Sequence, residues 1–66
     1  MTEIIRPIPE YRIWLVREDG QTVGTIHYYG SRHIHPGYTV TMDGIVIGTA
    51  IKSFADAREL AVACLP

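Results

Sequence analysis

Read as a string of apolar and polar positions, the chain falls into two regimes. Between Tyr11 and Ile51 the apolar residues come in short runs rich in β-branched and aromatic side chains, and Asp-Gly pairs interrupt them. From Ser53 onward they recur every three or four positions. The first regime predicts strands in "YRIWLVR" (Tyr11–Arg17), "TVGTIHYY" (Thr22–Tyr29), "YTVTM" (Tyr38–Met42) and "IVIGTAI" (Ile45–Ile51). Asp19-Gly20 and Asp43-Gly44 stand where two of these runs meet, and Asp-Gly between apolar runs is a strong hairpin signal.

The second regime predicts one helix. In "SFADARELAVACL", Phe54, Ala57, Ala61 and Cys64 form a stripe at helical spacing, flanked by Leu60 and Leu65. Ser53 is placed to cap its N-terminus, with Asp56 as a short-armed partner in a capping box and as an acid near the positive end of the helix dipole. Cys64 is expected to be a buried thiol on this stripe. The opening "MTEIIRPIPE" reads as an extended arm, because Pro7 and Pro9 fix φ and bias their predecessors away from helix. The predicted organisation is an arm over residues 1–10 and one small α+β domain over 11–66. In that domain an antiparallel sheet of two hairpins, about four strands, packs on one C-terminal helix, giving ββββα.

"DGQTVGT" (Asp19–Thr25) and "DGIVIGT" (Asp43–Thr49) match at Asp, both Gly and Thr. Two hairpins that need the same turn chemistry account for most of this echo; a duplicated unit is the alternative. A two-residue turn pairs Met42 with Ile45 and Val40 with Ile47. Tyr38, Val40, Met42, Ile45 and Ile47 then share the face assigned to the helix, with Val46 opposite. The same counting in the first hairpin groups Ile13, Leu15, Ile26 and Tyr28 on one face, and Trp14, Val16, Val23, Thr25 and His27 on the other. Both groups are apolar, and one short helix covers only one of them. Aligning the echoes sends Trp14 and Val16 to the core and leaves Ile13, Leu15, Ile26 and Val46 uncovered; the reverse assignment leaves Trp14, Val16 and Val23. The arm, through Ile4, Ile5 and Ile8, is one candidate cover, and a second copy or another protein is the other. An exposed edge strand is a further route for a partner.

Length sharpens the question of cover. At 66 residues the chain is a single domain at most, and domains this small bury only about 60% of the surface their unfolded chains expose. One cysteine excludes an internal disulfide framework and fits a reducing, cytoplasmic setting. A formal net charge of −1, with no basic block, gives no electrostatic footprint for nucleic acid or anionic membrane. The aliphatic runs are too short to span a bilayer, and the N-terminus resembles neither a signal nor a transit peptide.

The unusual chemistry gathers in "HYYGSRHIHPGY" (His27–Tyr38), which holds all three histidines and three of the four tyrosines. Metal ligation through His33, His35 and His27 lacks a second cysteine, a nearby carboxylate and any zinc-type spacing, so no metal or other cofactor is expected. Gly30, Pro36 and Gly37 supply turn geometry, and loops of this kind carry recognition. No serine stands in a nucleophile elbow, no glycine-rich phosphate loop precedes a helix, and the chain lacks the mass for a deep pocket.

"YTVTMDGIVIGTAIKSFADARELAVACL" (Tyr38–Leu65) resembles the C-terminal part of double-stranded-RNA-binding domains, where a hairpin runs into an Ala-rich helix. That family's helix opens with phosphate-gripping lysines, whereas this one opens "SFADAR", with Lys52 and Arg58 alone nearby. The order of strands then helix is also similar to arm-type DNA-binding domains, which read DNA with a sheet; the implied reading face here carries Arg12, Arg17, Arg32 and Thr25. The expectation from the residues is a non-enzymatic protein that binds a protein partner or a second copy of itself. Ile13, Leu15, Ile26 and Tyr28 would form the contact face, and Tyr29, Arg32, His33 and His35 the recognition loop. Size and near-neutral charge suit an inhibitor of a host system from a phage or mobile element, such as an anti-CRISPR. The alternative is a nucleic-acid-binding module using the sheet and the same loop.

Overall fold

The chain's computed structural model describes residues 1–65, apart from the side chain of Ile8. It is an α+β fold in which five strands form one antiparallel sheet in chain order: β1 (Thr2–Ile8), β2 (Ile13–Glu18), β3 (Gln21–Tyr29), β4 (Gly37–Met42) and β5 (Ile45–Ile51). One helix, α1 (Phe54–Ala63), follows. The N-terminal segment is extended as its prolines dictate, but it is a strand of the sheet. Ile4 lies opposite Val16 and Ile5 opposite Leu15, with a register shift before Ile8. A single 3-10 turn, Pro9–Tyr11, and Arg12 at φ 51° carry the chain from β1 to β2. The second strand accordingly starts at Ile13 rather than Tyr11.

The two Asp-Gly turns are built alike. Asp19 and Gly20 have φ of 51° and 82°, and Asp43 and Gly44 have 52° and 77°. Positive φ at both central residues is the type I′ turn, whose twist suits a two-residue hairpin. The echo extends past the turns. In the first hairpin Arg17 pairs with Thr22 and Val16 with Gly24, so Val23 is an extra residue. In the second, Thr41 pairs with Val46 and Val40 with Gly48, so Ile47 is extra in the same way. Each hairpin therefore carries a one-residue bulge at the equivalent place, followed by a glycine. The bulged Val23 carbonyl accepts the backbone N–H of Asp43 at 2.8 Å, which ties the first bulge to the second turn.

These bulges correct the face assignments made by simple counting. A one-residue shift moves every later side chain to the opposite face. Ile26 now lies opposite Trp14 and Val40, and it is fully buried on the helix side with Val16 and Val40. Trp14 packs against the same core, as the aligned echoes suggest. Ile13 and Leu15 stay on the other face, opposite His27 and Thr25. In the second hairpin Ile47 still packs against the core through its bulge, whereas Ile45 is exposed at the sheet edge.

The helix forms and seats itself as its sequence requires. Ser53 is extended at φ −130°, and its Oγ accepts the Asp56 backbone N–H at 3.1 Å. Ala57 and Ala61 are buried against the sheet, and their small side chains bring the helix close. A Cβ on Gly48 would meet Leu60 Cδ2 at 2.6 Å, so the glycine of the second echo is the seat of the helix. Gly24 has the matching role beneath Met42, where a Cβ would fall 2.3 Å from Sδ and 2.4 Å from the Thr41 carbonyl oxygen. Phe54 locks the helix start into an aromatic cluster, 4.9 Å from Trp14 and 5.8 Å from Tyr38 between ring centroids. Cys64 departs from expectation: it is the C-cap and is exposed, because the helix ends before the stripe returns to the sheet.

Candidate functional site

The helix packs over β3, β4 and β5 on one side of the sheet and leaves the other side without a covering layer. Strand alternation and the observed register define what that side presents. One cross-strand row runs through all five strands: Ile5, Leu15, Thr25, Thr41 and Val46. A second row holds Ile13, His27 and Thr39. Glu3, Arg17 and Thr22 form a third, toward the first hairpin turn. The face is thus apolar at its two flanks, with β-branched threonines between. Ile5, Ile13 and Leu15 are half-buried, and Val46 is 57% exposed.

β1 decides that this surface is open. An arm folded back over the sheet would have hidden it. Instead the segment continues the sheet in its own plane: Ile4 joins the core, and Ile5 lengthens the uncovered row. The side chain of Ile8, the arm's third candidate for cover, lies outside the described residues.

At the loop end of this face sits an aromatic stack. His27 and Tyr29, two residues apart on β3, point the same way with ring centroids 4.2 Å apart. Tyr29 is also 4.2 Å from His33, with the planes 30° apart. The connection Gly30–Pro36 bends back to make this possible: the His33 backbone N–H donates to the Gly30 carbonyl at 3.0 Å. His33 Nδ1 accepts the backbone N–H of His35 at 3.1 Å, so a neutral His33 ring carries its proton on Nε2. His33 and His35 lie 6.5 Å apart between centroids. Among the described residues no three histidine, cysteine or acidic side chains gather as a metal site would need. Ile34, at the loop tip, is 85% exposed, and Arg32 is exposed beside it.

The residues singled out from sequence therefore separate. Ile13, Leu15 and Tyr29 share the uncovered face, with His33 stacked at its end. Arg32 and His35 belong to the exposed loop. Ile26 is core and leaves the set. Tyr28 turns to the helix side, where it lies 5.0 Å from Tyr38 and beneath the Arg12 guanidinium at 5.2 Å. Ile5 and His27 are added. From sequence alone Ile5 reads as arm cover rather than face because a Pro-flanked segment gives no pairing signal, and His27 groups opposite Ile13 because its face depends on the Val23 bulge.

The arginines do not converge. Arg17 belongs to the uncovered face, but its guanidinium donates back to the Gly20 carbonyl of its own turn. Arg12 stands at the other end of β2 on the helix side, and Arg6 covers Trp14 at 5.1 Å on that side too. Arg32 is in the loop. Open grooves line the helix and sheet flanks. The one beside Cys64, of about 250 Å³, is otherwise lined by Val23, Met42, Asp43 and Leu65, with no histidine or cation to generate a thiolate. A wider one, about 590 Å³, runs between the helix flank and β1 and is lined by Thr2, Ala55, Arg58, Glu59, Val62 and Ala63.

No helix among the described residues is long and apolar enough to cross a membrane. Comparison with known protein families, curated proteins and solved structures gives no match.

Proposed function

We propose that this chain is a non-enzymatic binding protein that acts by protein–protein contact through the helix-free face of its sheet. The observation that carries the reading is the row Ile5–Leu15–Thr25–Thr41–Val46, which crosses all five strands with no layer over it. Uncovered apolar residues grouped at the flanks of a sheet face favour an interaction surface. The Tyr29–His33 stack and Arg32 stand at its rim, where aromatic and guanidinium groups serve as anchors.

The sheet edges are less suited to the task. β5 carries one irregularity at Ile47 and a second between Gly48 and Ile51, with Ala50 at φ 54°. β1 carries Pro7 and a register shift. Bulges and proline at edges are the usual guards against strand addition. The dispersal of Arg6, Arg12, Arg17 and Arg32 over two faces and a loop disfavours a nucleic-acid track, which needs clustered cations. A 66-residue chain that works by occupying a surface suits a cytoplasmic inhibitor of a host system, such as an anti-CRISPR carried by a phage.

The test is affinity capture with three baits: the wild-type chain, the face variant Leu15→Glu with Tyr29→Ala, and the helix-surface control Arg58→Ala. With the untagged chain expressed in the same cells, a protein retained by the wild type and the control, resistant to nuclease and lost with the face variant, is the expected result. Fluorescence anisotropy with mixed-sequence DNA and RNA provides the counter-test. Affinity that falls steeply with salt would replace this reading with the nucleic-acid one.

A further inference from the structure

We infer that the occupant of the helix-free face is a second copy of this chain, the two sheets stacking back to back with the helices outermost. The inference rests on the docking reading above and names its partner.

Three observations lead to it. The first is the make-up of the core. Only Val16, Ile26, Val40, Met42, Ala57 and Ala61 are buried among the described residues, and two of these are alanines. A core this small supplies only about 3–5 kcal/mol, and association is one of the ways small domains supplement it. A second copy is present whenever the chain is, so it can provide that layer without any other protein.

The second is the symmetry of the pattern. The central row is apolar at both ends, Ile5 and Leu15 at one and Val46 at the other, with Thr25 and Thr41 between. A two-fold axis in the plane of the interface, passing through this row, has two principal orientations. Parallel to the strands, it sets Ile5 and Leu15 over the partner copy's Val46 end. Along the row, it sets each apolar end over its own equivalent. Either way apolar meets apolar, which an isologous interface requires. The charges agree: Glu3 and Arg17 stand opposite each other, so the histidines aside the face has no net charge and two copies meet without repulsion.

The third is area. Five strands at about 4.8 Å spacing and roughly 20 Å length give a footprint of about 500 Å² per copy. The pair then buries on the order of 1,000 Å², the lower bound for a specific interface. The dimer is expected to be reversible over accessible concentrations. The sheets would lie about 10 Å apart, as in β-sandwiches.

Sedimentation velocity from about 1 µM to about 500 µM tests this, a span that brackets micromolar dissociation constants. The wild type is expected to move from the 7.4 kDa monomer toward twice that mass, and its thermal midpoint to rise with concentration. Leu15→Glu and Val46→Glu are each expected to weaken the dimer at least about tenfold. Arg58→Ala on the helix surface should leave it unchanged. Circular dichroism checks that each variant is folded, and isotope-filtered NMR on a mixture of labelled and unlabelled wild-type chains should show contacts between copies from the Leu15 and Val46 methyl groups. A wild type that stays at monomer mass throughout, or a dimer indifferent to both face substitutions, overturns the inference. A monomer whose captured partner is still lost with Leu15→Glu and Tyr29→Ala overturns it too, while leaving the docking reading standing.

Discussion

On the helix side of the sheet, Val16, Ile26 and Val40 are fully buried. On the other side their chain neighbours Leu15, Thr25 and Thr41 stay half open to solvent, although the same strands supply both sets. The helix side admits no slack. At Gly24 a Cβ would meet the Thr41 carbonyl oxygen, which is fixed, and at Gly48 it would meet the ends of the Leu60 and Ile51 side chains. The open side has no helix pressed against it. The contrast shows where substitutions act on folding and where they act on contact.

Ile26→Ala should separate the two faces most sharply. Emptying a fully enclosed isoleucine typically costs about 2–5 kcal/mol, against the roughly 3–5 kcal/mol a core of this size supplies. The variant should be largely unfolded at room temperature by circular dichroism. A near-native melting curve would place Ile26 outside the core. Gly24→Ala comes next, at about 1–3 kcal/mol, because the new methyl group meets a backbone carbonyl that cannot swing away. Urea denaturation should show the midpoint falling well below that of the same change at the exposed Gly30, where a Cβ meets nothing within 4 Å.

Ser53→Ala removes the Oγ that accepts the Asp56 N–H and should cost about 1 kcal/mol, with fraying of the first helical turn visible in amide exchange. On the open face, Leu15→Thr trims a half-buried side chain while keeping a strand former and should cost only about 1 kcal/mol, measured at low concentration where chains are apart. A loss like that of Ile26→Ala would mean that this face is covered within the single chain.

The smallest effect concerns β1 alone. The Met1 ammonium donates to Asp19 Oδ1 at 2.7 Å and Glu18 Oε1 at 3.0 Å, and Thr2 Oγ1 donates to the other Glu18 oxygen. Asp19 first and Glu18 second raise the amino pKa from 8.0 to about 10. Thr2 first and the ammonium second hold the Glu18 carboxyl below its ordinary 4.5. A raised amine stabilises fully below its unfolded value and loses that contribution as pH rises through about 10. A lowered carboxyl stabilises above its unfolded value and loses that contribution as pH falls through its folded one. The clamp is therefore complete between about pH 5 and pH 8, and solvent screens it. NMR titration should show the Thr2 and Glu3 amides shifting at both limits while the Ile26 and Val40 amides stay still. Equal movement of all four would mean that β1 melts only with the whole domain.

Much of this arrangement was legible in the residues, and the exceptions have specific physical causes. The Asp-Gly turns, the Ser53 cap and the Ala57–Ala61 stripe are local features, set by φ preference, one hydrogen bond and helical period. The Asp-x-x-x-x-Gly spacing of both echoes contained the bulge, but its meaning emerges only when Val16 is seen to pair with Gly24 rather than Val23. That one-residue shift took Ile26 from the candidate contact face into the core and brought His27 onto the uncovered face. Cys64 looked buried because periodicity does not tell where a helix outruns its sheet.

The sequence by itself determined the types and order of the four later strands and the helix, both hairpin turns and the helix start, because each depends on residues within a few positions of one another. The tertiary structure alone decided that residues 2–8 form a fifth strand, that Gly24 and Gly48 face occupied space, and that Ile5, Leu15, Thr25, Thr41 and Val46 align across the sheet. Those outcomes depend on register between distant segments. Register is fixed only when bulge, turn and core packing are satisfied together.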